Sequence, residues 1–218
     1  MTNNPKGLLI FDLDGTLFKT ESVTVPAVQS TFKKYSLPAP GENEICSYFG
    51  KPSKTYHDWL RSLCPSTTAD EIIAAIDVLE LNLIDERGLL YPQIIKTLDQ
   101  LNSLVNQIAL CTNGPKDYVE RVINAMGLIK YFDYVRFHRG ENDHKIFKVR
   151  EILYRLEMRP AIVIGDRQDD ISAAHQNGIL SIGVSYGYGT MEELSAAHAI
   201  AQSPSALPYL VLSLMENH

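Results

Sequence analysis

Cysteine is scarce in this sequence. Cys46, Cys64 and Cys111 form an odd set without metal-ligand spacing, which argues against a disulfide framework and suits free thiols in a reducing compartment. Long apolar runs are missing too: no stretch approaches the roughly 18 apolar residues that a membrane-spanning helix needs. Positive charge is in deficit. Lys and Arg number 20 against 26 Asp and Glu, giving a formal charge of −6 and a pI near 5.5, so a nucleic-acid backbone is not the expected partner. An acidic protein still binds anions, through a local nest of donors or a metal. Residues 1–6 precede only a short apolar run, so no secretory signal is expected, and the expected location is cytoplasmic. Internal repeats and low-complexity segments are absent. The chain does have 45% hydrophobic residues among its 218. That supports a packed core, built as one domain with an insertion or as two small domains.

One stretch near the N-terminus organises the remainder: Ile10-Phe11-Asp12-Leu13-Asp14-Gly15-Thr16-Leu17. Two carboxylates lie two residues apart at the end of an apolar run. In an extended strand residues i and i+2 point the same way, so both would meet on one side. Two like charges about 4 Å apart repel by roughly 4 kcal/mol at an effective dielectric of about 20. A bound cation, a shared proton or a break in the backbone between them must offset that cost.

Leu8-Leu9-Ile10-Phe11 reads as a strand buried on both faces of a parallel sheet. Residues 18–89 carry helical patterns instead. Helices are expected at 24–35, with Pro26 in a first turn, and at 53–64. A third starts at the capping-box spacing Thr68-Ala69-Asp70-Glu71 and runs through Ile72, Ile76, Leu79 and Leu83 to a stop at Gly88. From Leu90 onward helices and apolar strands alternate. The helices fall at 94–104, at 118–126, along the stripe Ile146, Val149, Ile152, Leu153 and Leu156, at 171–177, and at 206–215. The strands fall at 107–111, 134–137, 161–164 and 180–184. Such alternation means a parallel α/β sheet with right-handed crossovers. The expected organisation is a Rossmann-like core of residues 1–17 and 90–218. A small α-helical cap, 18–89, is inserted after the first strand, above the rim where such sheets bind ligands.

The strand ends carry the polar residues. Leu110-Cys111 leads into Thr112-Asn113-Gly114-Pro115. Pro115 suits a first helical turn, so Thr112 and the amides of Asn113 and Gly114 would face an anion at a helix N-terminus; an ordinary strand-to-helix turn is the plain alternative. Ile164-Gly165 leads into Asp166-Arg167-Gln168-Asp169-Asp170. Asp169 or Asp170 can cap the following helix, which leaves Asp166 without that duty. Hard oxygen ligands from two strand ends suit magnesium, the cation that the first strand lacks. Asp143 can cap the helix carrying Ile146 and Val149. Lys145 then sits in its first turn, opposed by the helix dipole by about 0.3–1 kcal/mol, which contact with several carboxylates more than recovers.

These four clusters, in this order, resemble the haloacid dehalogenase superfamily, in its phosphatase branch with a small helical cap. The D-x-D-G-T signature at Asp12 to Thr16 is the most specific match. The resemblance implies an aspartyl-phosphate nucleophile at Asp12 and a general acid/base at Asp14. It implies phosphate binding by Thr112 with Asn113 and Gly114, and a third-motif lysine at Lys145. Mg²⁺ would be held by Asp12, Asp14 (through its backbone carbonyl), Asp166 and Asp170, with Asp170 acting through a water or by orienting Lys145. A dehalogenase acting on carbon has no leaving alkoxide to protonate, so the acid at Asp14 favours phosphoryl chemistry. Three positions depart from the usual pattern: Lys19 where relatives often have an acid, Ile146 rather than proline after Lys145, and Tyr91-Pro92-Gln93 where the cap rejoins the core.

Phe49-Gly50-Lys51-Pro52-Ser53-Lys54 resembles the specificity loop of small-capped relatives. Lys51 or Lys54 could grip a carboxylate or second phosphate, or both could be solvated surface lysines. Tyr186-Gly187-Tyr188-Gly189-Thr190 resembles a rim loop of phosphoglycolate phosphatase-like members. His57, His138, His144 and His175 show no ligand spacing, and Trp59 reads as core of the helical insertion. The implied activity is a magnesium-dependent phosphatase of a small phosphorylated metabolite, phosphoglycolate phosphatase-like. A β-phosphoglucomutase-like phosphosugar mutase, a phosphonate-cleaving relative with a cap lysine, and a non-catalytic binding protein are the alternatives. The intact set Asp12, Asp14, Thr112, Lys145 and Asp166 speaks against the last.

Overall fold

The computed structural model describes residues 7–140 and 142–216; residues 1–6, where no secretory signal is expected, lie outside it. Six strands form one parallel sheet: β1 (Leu8–Phe11), β2 (Gln107–Pro115), β3 (Tyr134–His138), β4 (Ala161–Gly165), β5 (Leu180–Val184) and β6 (Ala199–Ala201), in the order β3-β2-β1-β4-β5-β6. Alternation along β1 explains its unbroken hydrophobicity. Leu9 and Phe11 pack into the apolar cluster on one face, Leu8 and Ile10 into the cluster on the other, and all four are fully buried. Each such side chain contributes about 1.5–3 kcal/mol relative to exposure. Phe11 is level with Leu110 on β2 and Ile164 on β4, so the segments after three strands emerge side by side. This is the switch point of the sheet, where open α/β folds bind ligands.

Between β1 and the rest of the sheet stand α1 (Glu21–Lys34), α2 (Glu42–Cys46), α3 (Ser53–Ser62) and α4 (Ala69–Arg87). They share a separate apolar cluster that includes Val28, Phe32, Ile45, Leu60, Ile72 and Ile76. The chain leaves for these helices and returns along a two-strand neck. Phe18 bridges Leu90 antiparallel, the Lys19 amide donates to the Leu89 carbonyl at 2.8 Å, and the Tyr91 amide donates to the Leu17 carbonyl at 3.0 Å. The remaining helices cover the sheet: α5 (Ile94–Leu104), α6 (Lys116–Ala125), α7 (Lys145–Leu156), α8 (Gln168–Gln176) and α9 (Leu207–Glu216).

Several local expectations change. α1 starts at Glu21, so Pro26 lies beyond the first turn, where its ring nitrogen has no hydrogen to offer the Ser22 carbonyl. The capping box at Thr68 does not form. Thr68 makes no side-chain cap bond, and Glu71 instead accepts the Tyr35 hydroxyl at 2.7 Å. Asp143 does not cap α7 either. His144 is the N-cap residue, and the Asp143 carboxylate takes the Arg136 guanidinium at 2.7 and 2.9 Å and the Arg139 amide at 2.8 Å. A bidentate, charge-assisted pair outcompetes a cap. The sixth strand, three residues long, was too short to carry a periodic signal.

Candidate active site

The backbone leaves extension directly after β1. The Asp12 amide still bonds the Ile164 carbonyl at 2.9 Å, but the Leu13 carbonyl then accepts the amides of Thr16, Leu17 and Phe18, closing a tight turn. Gly15 makes it possible with φ +77°; a Cβ there would also run into the Asp166 carboxylate. The turn separates the two carboxylates, so the strand picture of both on one side is corrected. Asp12 faces the sheet rim and Asp14 faces α6 and the start of α1.

Around Asp12 the structure gathers a buried charge cluster. Lys145 Nζ lies 2.6 Å from Asp12 Oδ1 and 2.5 Å from Asp170 Oδ1. Asp170, third residue of α8, also accepts the Arg167 amide at 3.0 Å, so it caps the helix while holding the lysine. Asp166 Oδ2 accepts the Tyr188 amide at 2.8 Å. Asp12, Asp166 and Asp170 each bring a carboxylate oxygen within 4.8 Å of the others. Asp12 Oδ2 and Asp166 Oδ1 are buried with no hydrogen-bond partner. Burial raises Asp12 to about 7, Lys145 opposes the shift, and Asp170 and Asp14 add to it. Asp166 is also raised well above the usual range, first by burial and then by Asp12 and Asp170. Burial lowers the proton affinity of Lys145, but the two aspartates outweigh it and keep the ammonium charged. One lysine against three carboxylates leaves negative charge over. Orphaned oxygens from two strand ends are the donor set that a hard divalent cation takes, so these residues fit Mg²⁺. The Asp14 side chain is not in this triad.

Asp14 Oδ1 accepts the Thr20 and Tyr118 hydroxyls, each at 2.7 Å. Burial still raises its proton affinity against those two bonds. In the β2 turn, Thr112 Oγ1 accepts the Gly114 amide at 3.0 Å, which leaves the Thr112 hydroxyl proton to donate elsewhere and spends the Gly114 amide expected for an anion. Lys148, one turn after Lys145 and fully buried, donates to the Thr112 carbonyl at 2.7 Å and to Asn113 Oδ1 at 2.5 Å. Asn113 Nδ2 reaches the Gly50 carbonyl of the helical insertion at 2.9 Å.

A cavity of about 390 Å³ opens over Asp12, Asp14 and Thr112, with Gly50, Lys51, Tyr56 and Glu80 of the insertion on its far wall. Lys51 belongs to this cavity, its ammonium 4.6 Å from the centre of the Tyr48 ring. Lys54 does not: it is exposed, pairs with Asp58 at 2.6 Å and borders a second cavity beside His144 and Lys145. The 186–190 loop ties the two parts together. The Tyr188 hydroxyl bonds the Glu21 carboxylate, and the Tyr188 ring meets Phe49 edge-on at 4.9 Å. Thr20, Tyr118 and Lys148 escaped the sequence reading, whereas Tyr188 lies in the 186–190 stretch that resembles a rim loop. Only Lys148 left a usable sign there, since Lys145, Lys148, Val149 and Ile152 share the buried face of α7.

A buried carboxylate cluster with its lysine thus lies at the switch point of a parallel α/β sheet, beside a helical insertion. The sequence model of the haloacid dehalogenase-like hydrolases matches residues 9–184, and the chain belongs to that family. It is 27% identical to a phosphoglycolate phosphatase of Pectobacterium atrosepticum, over 85% of this chain and 83% of that one. Among solved structures it is similar to a haloacid dehalogenase-like hydrolase of Streptococcus pneumoniae, with TM-score 0.80, 25% identity, and 94% and 99% coverage of the two chains. It also shares the fold of a predicted phosphoglycolate phosphatase of Haemophilus somnus, with TM-score 0.84, 21% identity, and coverage of 96% and 99%.

Proposed function

We propose that the protein is a magnesium-dependent phosphatase of a small phosphorylated metabolite, with residues 18–89 as a cap over the site. The observation that carries this reading is Lys145 clamped between Asp12 and Asp170, beside two orphaned buried carboxylate oxygens. Asp12, Asp166 and the Asp14 backbone would hold Mg²⁺, which supplies charge neutralisation for the transferring oxygens when bound.

Asp12 attacks phosphorus, forming an acyl phosphate as the bond to the leaving alcohol breaks. Asp14, whose proton affinity burial raises, gives a proton to the departing oxygen. The same carboxylate then takes a proton from water, which attacks phosphorus, releases inorganic phosphate and restores Asp12. Lys145 and the Thr112 hydroxyl offer donors to the phosphoryl oxygens. Thr20 and Tyr118 fix the Asp14 carboxylate through one oxygen. Similarity to phosphoglycolate phosphatases makes 2-phosphoglycolate the first natural ester to assay. Phosphate release from an aryl phosphate, dependent on magnesium and lost in Asp12→Asn, tests the reading. Isomerisation of a hexose phosphate without net phosphate release would establish the mutase instead.

A further inference from the structure

The far wall of the catalytic cavity is acidic and aromatic. Glu80, on α4, has its carboxylate turned to the Thr24 hydroxyl, and among the described residues it forms no ion pair with a lysine or arginine. Burial raises it to about 7, and the charges of Asp77 and Asp14 add to the shift. Asp77, one turn earlier on α4, faces His57 at 3.3 Å. The Tyr56 hydroxyl is buried in the same wall with no hydrogen-bond partner. Tyr48 and Tyr118 line the cavity alongside them. Two lysines also line the cavity: Lys51, on the same wall, rests on the Tyr48 ring at 4.6 Å, and the more than half-exposed Lys116 lies 3.8 Å from Glu120.

A half-buried carboxylate with no lysine or arginine beside it is costly, and an orphaned hydroxyl near it adds to the cost. Both costs are removed by a ligand that brings positive charge and a hydrogen-bonding group together. A carboxylate brought to the same place would face Glu80, Asp77 and Asp14. Tyrosine faces beside acids also form the environment that holds ammonium groups. Resting on the phosphatase reading above, we propose that the substrate is the phosphate ester of an amino alcohol. Its phosphate lies toward Asp12, and its protonated or quaternary amine lies against Glu80 and Tyr56.

Initial rates on phosphoethanolamine, phosphocholine, 2-phosphoglycolate and p-nitrophenyl phosphate, with magnesium, test this. The expected result is kcat/KM for an amine ester roughly 10- to 100-fold above that for 2-phosphoglycolate, the scale of one charged contact. Glu80→Gln should collapse that ratio, chiefly through KM of the amine ester, and Glu80→Lys should invert it. Tyr56→Phe gives a second variant that breaks no bond within the protein, and it should raise KM for the amine esters more than for 2-phosphoglycolate. A preference for 2-phosphoglycolate, or variants that shift both esters equally, overturns the proposal while phosphatase activity stands. No turnover of the aryl phosphate overturns the phosphatase reading instead. Calorimetric binding of phosphocholine to the wild type and to Glu80→Gln then decides the amine site: binding lost in the variant supports it, and no wild-type binding ends it.

Discussion

The Lys148 ammonium lies 2.5 Å from Asn113 Oδ1, and Asn113 hands its own amide to the Gly50 carbonyl at 2.9 Å. A fully buried lysine on the core helix thereby orients the turn after β2 and, through one side chain, the loop of the insertion that overlooks the cavity. Burial pushes Lys148 down to about 8, a cost tolerated because two oxygens share its protons. Lys148→Met leaves both acceptors unpaired, at about 1–3 kcal/mol. A lower Tm and several-fold weaker product inhibition by inorganic phosphate are expected. A thermal melt and a phosphate inhibition series measure them, and an unchanged inhibition constant would sink the positioning role.

Asp12→Asn is expected to lower kcat by on the order of 10⁴-fold or more, the scale seen when a nucleophile is removed. The variant should nevertheless fold, and its Tm without metal should rise. Asparagine removes one charge from a buried cluster in which Asp12, Asp166 and Asp170 repel one another. Single-turnover assays and scanning calorimetry report the two effects separately. A fall in metal-free Tm would contradict the charge account.

The metal-free protein should lose stability as pH rises toward neutrality. Folded Asp12 titrates at about 7, against 3.8 for the free side chain. Between those values the folded state holds more protons than the unfolded one, so stability declines with rising pH. Glu80, also raised to about 7, acts in the same direction. Magnesium bound as proposed would displace the proton from the cluster, so the stabilisation it gives should grow as pH passes through 7. Melting curves from pH 5 to pH 8, with chelator and with magnesium, test the sign. A magnesium increment that shrinks with pH would refute it.

Asp14→Asn should discriminate between leaving groups. Alkyl phosphates need a proton on departure and should slow by roughly 10²–10⁴-fold. p-Nitrophenyl phosphate leaves as a stable anion, so its first step should slow far less. Tyr118→Phe removes one of the two bonds to Asp14 Oδ1 and should produce a smaller version of the same split, with a shifted pH profile. Equal slowing of both ester classes would mean that Asp14 does not transfer this proton.

Much of this site was legible from spacing. Asp12, Lys145 and Asp166 each follow or flank a strongly apolar element, and a parallel sheet brings such ends to one rim. Five of the six strands followed in chain order from alternating helices and apolar runs, but β2 runs on to Pro115 and the short β6 left no signal. What stayed hidden depends on three-dimensional competition. Asp143 spaces correctly for a cap, yet Arg136 claims it from a neighbouring strand. Glu71 fits a capping box, yet Tyr35, just beyond the end of α1, takes it. Thr20 and Tyr118 converge on Asp14 from segments far apart in sequence, and no local pattern encodes such a meeting. Lys54 looked equivalent to Lys51 in the sequence, but the turn of α3 sends it to the other side of the wall.

The neck at Leu17–Lys19 and Leu89–Tyr91 changes the thermodynamics of everything it encloses. Because the outgoing and returning chains are laced together by backbone bonds, the sheet encounters the insertion as though it were a tight hairpin. The entropy of closing a loop grows only logarithmically with its length, and here the bonds at its base already set the closure. Helices can therefore be added to or taken from the enclosed segment with little effect on the stability of the sheet below. Such an arrangement lets the wall opposite Asp12 change its chemistry, acids for lysines or aromatics for glycines, while the rim of the sheet keeps its geometry.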